Sequence, residues 1–286
     1  VVRDRQPRRA DPPKYFFNAP KVGLGSDLLL NTQTLEIYEG SYFHSFVTNE
    51  LVTTSVWDAG SSHPQQLYRG SEQFPAIVDA NGKVTLKQLS NAQMGNHIGA
   101  STIAHTEDRQ LVVWRQTPRA QQNQGASQGQ LVPTGSGACE WADWLAQSHT
   151  PSLKGLITHT MTREFREESL DKIVPGARRE DAEIETRILG HFLWLRRGGK
   201  PEFVGLTRVS YTAGTHRPDP SEVDKPPDLE AYPAHSVSAM HSSIERILEL
   251  GPAQIAVPLW VTLTCLREAL TADPGGWADF LGIENR

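Results

Sequence analysis

The residues best suited to chemistry are six in a row, Arg163-Glu164-Phe165-Arg166-Glu167-Glu168. On a helix, Glu164, Glu167 and Glu168 stand at i, i+3 and i+4 and share one face. Carboxylates held so close repel one another by about a few tenths of a kcal/mol per exposed pair. A hard divalent cation, Mg²⁺ or Mn²⁺, removes that penalty and turns the cluster into a site. A solvated charged helix face accounts for the same string equally well. On their own the six residues leave both readings open.

The elements around them narrow the choice. Helical sequence runs from about Ser152 to Leu170, with Met161 and Phe165 to the side of the acidic face, able to anchor the helix on a sheet. Leu153, Leu156 and Ile157 drift toward the same angle as the acids. Either something covers the first turns, or the functional helix starts later than Ser152. Before the helix, Ile98–Ala104 and Leu111–Arg115 are strand-like, and Leu131–Gly137 is a Pro- and Gly-containing turn. After it, Ile188–Leu195 is a strong strand and Phe203–Leu206 continues the pattern.

In this order the chain resembles the Nudix hydrolase superfamily. The box of that family runs Gly, five residues, Glu, seven residues, then Arg-Glu-apolar-x-Glu-Glu-x-Gly-apolar. The resemblance covers roughly Asn96 to Val209. It implies an α+β fold, a Nudix-type α/β/α sandwich with a mixed sheet, preceded here by a β-rich N-terminal region. Three departures stand out. The distance from the glycine turn to Arg163 is longer than in the standard box by about a dozen residues or more. A strict count back from Arg163 puts Gly155 where the box has Glu and His149 where it has Gly. Ser169-Leu170-Asp171 follows Glu168 without the usual glycine. Trp141–Pro151 is therefore read as part of an insertion, and Gly135 or Gly137 with Glu140 as the displaced opening of the box.

The resemblance implies roles. Glu164, Glu167 and Glu168 bind Mg²⁺ or Mn²⁺. Arg163 orients one of these carboxylates through a charge-assisted hydrogen bond. Glu168 or Glu167 takes the proton of the attacking water. An acid from a later loop does this in some members of the family. Glu202, Glu222, Asp224, Asp228 and Glu230 are the candidates here, each more simply explained as surface charge. Arg115, Glu140 and Glu202 are expected at the substrate. Arg115 ends a strand near the expected pocket and could touch a phosphate, although a surface arginine at a strand end is as good an account. Trp114, Trp141 and Trp144 could stack on a base, but burial in the core is the better expectation.

Bulk properties bound these readings. The 286 residues are 38% hydrophobic and 21% charged, with a net charge of −5 and a pI near 6.1, which argues against a basic nucleic-acid scaffold. Cys139 and Cys265 are expected as reduced thiols, and no Cys/His spacing reads as zinc. No apolar run reaches the roughly 18 residues of a membrane span. A cytoplasmic location, a small phosphate-bearing substrate and a homodimer are the corresponding expectations. The chain divides by pattern into a tail at 1–14, a β-rich region at 15–95 and a Nudix-like domain with C-terminal helices at 96–286. Asn81-Gly82 marks a hairpin, Gln121–Gln130 a mobile loop, and 212–234 a long loop.

Three functions follow. The leading one is a metal-dependent hydrolase of a nucleoside diphosphate linked to another group. The second is a Nudix-fold module that binds a nucleotide or a protein and has lost catalysis. The third places the function in the N-terminal region.

Overall fold

The computed structural model describes residues 18–28, 34–58, 60, 65–116, 129–147, 151–170, 183–215 and 229–286. The expected tail, Gln121–Gln128, His216, Glu222, Asp224 and Asp228 lie outside these. The chain forms two compact units. One comprises Ala100–Gly137, Thr150–His191 and Phe203–Arg286; the other comprises the chain up to Gly99 with Ala138–His149 and Phe192–Glu202.

The first of these units is organised by a sheet. Its central strands are β7 (Gly99–His105), β8 (Gln110–Arg115), β11 (Ile184–Trp194) and β12 (Lys200–Val209), in the order β11-β12-β7-β8, with β13 (Leu229–Pro233) beside β8. Short strands β9 (Leu131–Val132) and β10 (Gly135–Ala138) join β8 and β7. β8 pairs antiparallel with β7, β9 and β13. The contacts of β12 advance together with those of β7. Thr102 meets Thr207, and three positions further His105 lines the same cavity as Val209. That is a parallel pair, so the sheet is mixed.

Side chains alternate across this sheet as the pleat requires. Ile103, Leu111 and Val113 face α4 (Val237–Leu248), α5 (Val257–Ala272) and α6 (Pro274–Leu281). Ala104 and Val112 face the other way, against Phe165 of α3 (Leu153–Ser169). Helices thus cover both faces, the α+β sandwich expected from the pattern. In α5 the stripe Leu259, Leu263, Leu266 and Leu270 is fully buried, and Pro258 sits in the first turn, where its missing N–H costs nothing.

The helix α3 starts at Leu153. Ser152 caps it by accepting from the Gly155 N–H at 3.0 Å. Leu156, Ile157, Met161 and Phe165 are fully buried, which settles the question about the first turns: they are covered. Burying Phe165 contributes roughly 2–3 kcal/mol and fixes which way the acids point. At its C-terminal end, Ser169 accepts from the Trp114 indole N–H at 2.9 Å and donates to the Thr134 carbonyl at 2.5 Å. Ser169→Ala removes both bonds from a dry site. The expected loss is about 1–3 kcal/mol, read as a lower urea midpoint at unchanged slope.

Two strands differ from the sequence expectation. Leu229–Pro233 lies in the stretch expected as loop, yet β13 pairs with β8 over five residues, from Leu229 opposite Trp114 to Pro233 opposite Gln110. Its proline falls at the strand end, where a missing donor is tolerated. Gly135–Ala138 has turn chemistry in sequence but is extended in β10, for a reason given below.

The second unit holds three antiparallel pairs. β1 (Pro20–Leu24) pairs with β2 (Ile37–Ser41), β3 (Ser55–Trp57) with β4 (Gln66–Arg69), and β5 (Ala76–Val78) with β6 (Val84–Leu86). The last is the hairpin expected at Asn81-Gly82, with Gly82 at φ +77°. Asp27 and Leu28 lie outside any strand. Between the first two pairs the chain forms α1 (Tyr42–Thr48) and a 3-10 turn at Glu50–Thr53. Among the described residues no helix is long and apolar enough to cross a membrane.

Candidate metal and phosphate site

The acidic face of α3 lies against β10, and two glycines make this contact. A Cβ at Gly135 would stand 2.6 Å from the Phe165 backbone nitrogen. A Cβ at Gly137 would stand 2.0 Å from Glu164 Oε1. Real Cβ atoms do not approach that closely; at Gly135 the obstacle is backbone and leaves no room for a side chain, whereas at Gly137 it is the flexible Glu164 carboxylate, which would have to move. The Gly-Ser-Gly sequence is therefore a strand that has given up its inward side chains. The space left by Gly137 is filled by the Glu164 carboxylate.

The other acids are placed from the same strand and from within the helix. Glu168 Oε2 accepts from the Ser136 backbone N–H at 2.8 Å. Arg163 Nη1 lies 2.9 Å from Glu164 Oε1 and 3.0 Å from Glu167 Oε2, bridging the two. Glu164 is largely sheltered, its side chain 12% exposed, whereas that of Glu167 is 51% exposed. The site thus has a sheltered side, Glu164 and Glu168 on the glycine strand, and an open side at Glu167.

These donors are of the chemical kind a hard divalent cation takes. The donors are all carboxylate oxygens, and a gap that a methyl group would fill is kept for one of them. As they stand, no three His, Cys, Asp or Glu side chains among the described residues are placed to hold a metal ion, so the carboxylates would have to rearrange to do so. Arg163 supplies the positive charge between Glu164 and Glu167.

The three further residues expected at the substrate are each engaged elsewhere. Arg115 donates from Nε to Glu230 Oε1 at 3.0 Å and from Nη1 to the Gly129 carbonyl at 2.8 Å. Glu230 also accepts from the Tyr232 hydroxyl, and burial with this carboxylate raises the phenol's pKa. Glu140 precedes α2 (Trp141–Leu145) and pairs with Lys21 at 2.8 Å. Glu202 is buried and ion-paired with Lys200, with Arg197 at 3.7 Å. Trp114 is buried, as expected, and Trp141 and Trp144 are half-buried.

Sequence reasoning missed Ser136, whose contribution is a backbone N–H and so leaves no signal in residue type. It also missed Lys200. Lys200 is fully buried, and burial lowers its pKa against the opposing pull of Glu202. An apolar flank, Pro201 and Phe203, was the available sign.

Two buried histidines make the fold sensitive to acid. Burial, reinforced by Lys200, Arg197 and Lys21, lowers the pKa of His97 well below its usual value. Burial also lowers that of His105, against a backbone bond to Ala234 that raises it. The unfolded chain takes up these protons below about pH 6.5, while the folded chain resists them. Their contribution is complete above pH 6.5 and is lost as pH falls below it, by up to about 1.4 kcal/mol per unit per histidine. Urea midpoints at pH 7.5 and 5.5 check this. The account requires the lower value at pH 5.5.

No family model matches the chain, and no curated protein does. Solved structures do. A protein from Deinococcus radiodurans is 14% identical over 67% of this chain and 98% of its own, with a TM-score of 0.38. The MutT protein from Methanosarcina mazei is 16% identical over 60% and 94%, with a TM-score of 0.34. A NUDIX-family hydrolase from Clostridium perfringens is 12% identical over 62% and 99%, with a TM-score of 0.35. The likeness is one of fold, and so partial an overlap assigns no activity to this chain.

Proposed function

We propose that the acidic face of α3 is the metal site of a hydrolase acting on a pyrophosphate bond in a nucleoside diphosphate-linked small molecule. The observation that carries this reading is the fit of Glu164 into the space at Gly137, with Glu168 held by the Ser136 N–H beside it. A merely solvated acidic face has no need of a glycine strand.

Glu164, Glu167 and Glu168 would hold Mg²⁺ or Mn²⁺. Such an ion, when bound, neutralises charge developing on the phosphates and lowers the pKa of a bound water. The chain's own groups do the rest. Glu164, sheltered on β10, keeps a fixed position and so lowers the cost of ordering the site. Arg163 orients Glu164 and Glu167 through paired charge-assisted bonds. Glu168 carries one oxygen on Ser136, which fixes its rotamer, and its carboxylate accepts the proton of the attacking water. Arg115, Glu140 and Glu202 remain proposed substrate contacts, each of which must exchange an ion-pair partner to reach a ligand.

A second reading, a binding module without catalysis, draws on Arg163. Its bridge across Glu164 and Glu167 offsets one of the cluster's three negative charges with no metal at all. A panel of nucleoside diphosphate-linked compounds, with Mg²⁺ or Mn²⁺ and scored by phosphate-containing product, separates the two. Metal-dependent turnover of at least one member is expected. Metal binding without turnover of any member favours the binding module. The proposed setting is cytoplasmic, as a homodimer.

A further inference from the structure

A cavity lies in the sheet unit, away from the acidic face. Along β7, β10 crosses near its start, with Thr134 N–H bonded to the Thr102 carbonyl and Gly137 further toward Ala100. The cavity lies past the other end, at His105, about five residues or roughly 17 Å along the strand from Ala100. Its volume is about 590 Å³, within the range of small-molecule sites.

The wall chemistry is uneven. His105 is buried, and its Nε2 lies 3.2 Å from the Ala234 carbonyl. A carbonyl only accepts, so Nε2 carries the proton and Nδ1 is a bare acceptor. That Nδ1 has no partner. Buried polar atoms are rarely left so. Glu107 and Glu183 also line the cavity, and among the described residues neither carboxylate has an ion-pair or hydrogen-bond partner; nor does the Arg109 guanidinium. Arg208 is held by Glu185 at 3.3 Å. Leu281 and Gly282 bring in the C-terminal, negative end of α6. Among the described residues acceptors therefore outnumber donors, with Arg109 an uncommitted cation beside them. Arg109 is held at φ +58°, in the left-handed region that non-glycine residues seldom adopt.

We propose that this cavity binds a small zwitterion, with an ammonium or guanidinium group between Glu107 and Glu183 and a carboxylate on Arg109. An anion alone would face two unneutralised carboxylates. A simple cation would leave Arg109 without its counter-charge. Ile184 and Val209 supply an apolar wall for the connecting carbons.

Calorimetric titration of the full chain tests this with L-arginine, agmatine, which lacks the carboxylate, and inorganic phosphate. Saturable L-arginine binding is expected, with agmatine about tenfold weaker, one ion pair's worth. Glu183→Gln should weaken L-arginine about tenfold. Arg109→Ala should erase its advantage over agmatine. Both residues are at the surface, and an otherwise unchanged amide NMR spectrum confirms the fold of each variant. Saturating L-arginine should also shift the His105 imidazole nitrogen resonances in the unmodified protein. No saturable binding of L-arginine at tens of millimolar, binding unchanged in both variants, or Arg109-dependent phosphate binding without L-arginine binding each overturns the proposal. None of these outcomes bears on the acidic face of α3.

Discussion

Glu168→Gln is expected to lower metal-supported turnover about a hundred- to a thousandfold, or roughly 3–4 kcal/mol in the barrier, with little change in stability. The amide keeps an oxygen that can accept from the Ser136 N–H, so the 2.8 Å bond survives. What it loses is the charge and the ability to take a proton. The measurement is turnover of whichever pyrophosphate compound proves best, beside a urea melt. A variant that melts normally and retains more than about a tenth of the activity would remove Glu168 from the proton transfer.

Gly137→Ala should act on the same site from the strand side. The added methyl would stand 2.0 Å from Glu164 Oε1. The carboxylate is the end of a flexible side chain, so it swings away and the fold survives at a cost of about 1–3 kcal/mol. The site does not survive so well. Displacing one ligand from its support is expected to weaken metal binding about 10–100-fold. Glu164→Asp shortens the side chain and relieves the clash. The double variant should therefore regain stability relative to Gly137→Ala while remaining weak for metal. A double-mutant cycle in urea reads the coupling. Additive losses would mean that Gly137 serves strand packing alone.

How far the sequence reaches depends on whether the signal is local. The helix α3 is legible because its cap at Ser152, its anchors Met161 and Phe165 and its three glutamates all lie within one repeat pattern. The strands β8 and β12 are legible as apolar runs, since both are buried on both faces. β10 is not. Glycine and serine are weak strand formers, and the reason for glycine here is the backbone of Phe165 and the carboxylate of Glu164, some thirty positions away. Residue type predicts turn, and packing overrides it. The same holds for charge. Glu140 pairs with Lys21 and Arg115 with Glu230, each more than a hundred positions distant, so neither residue's engagement could be read from its neighbours. The acidic triad was visible because helix geometry makes residues three and four apart into neighbours. Its support on β10 was not.

The central claim is that Glu164, Glu167 and Glu168 form one divalent-metal site on the glycine strand. Titration of the full chain with Mn²⁺, followed by loss of the free ion's electron paramagnetic resonance signal, tests it most directly. Saturable binding is expected, competed by Mg²⁺ and weakened at least about tenfold by Glu167→Gln. Absence of saturable binding, or an affinity that Glu167→Gln leaves unchanged, would contradict it.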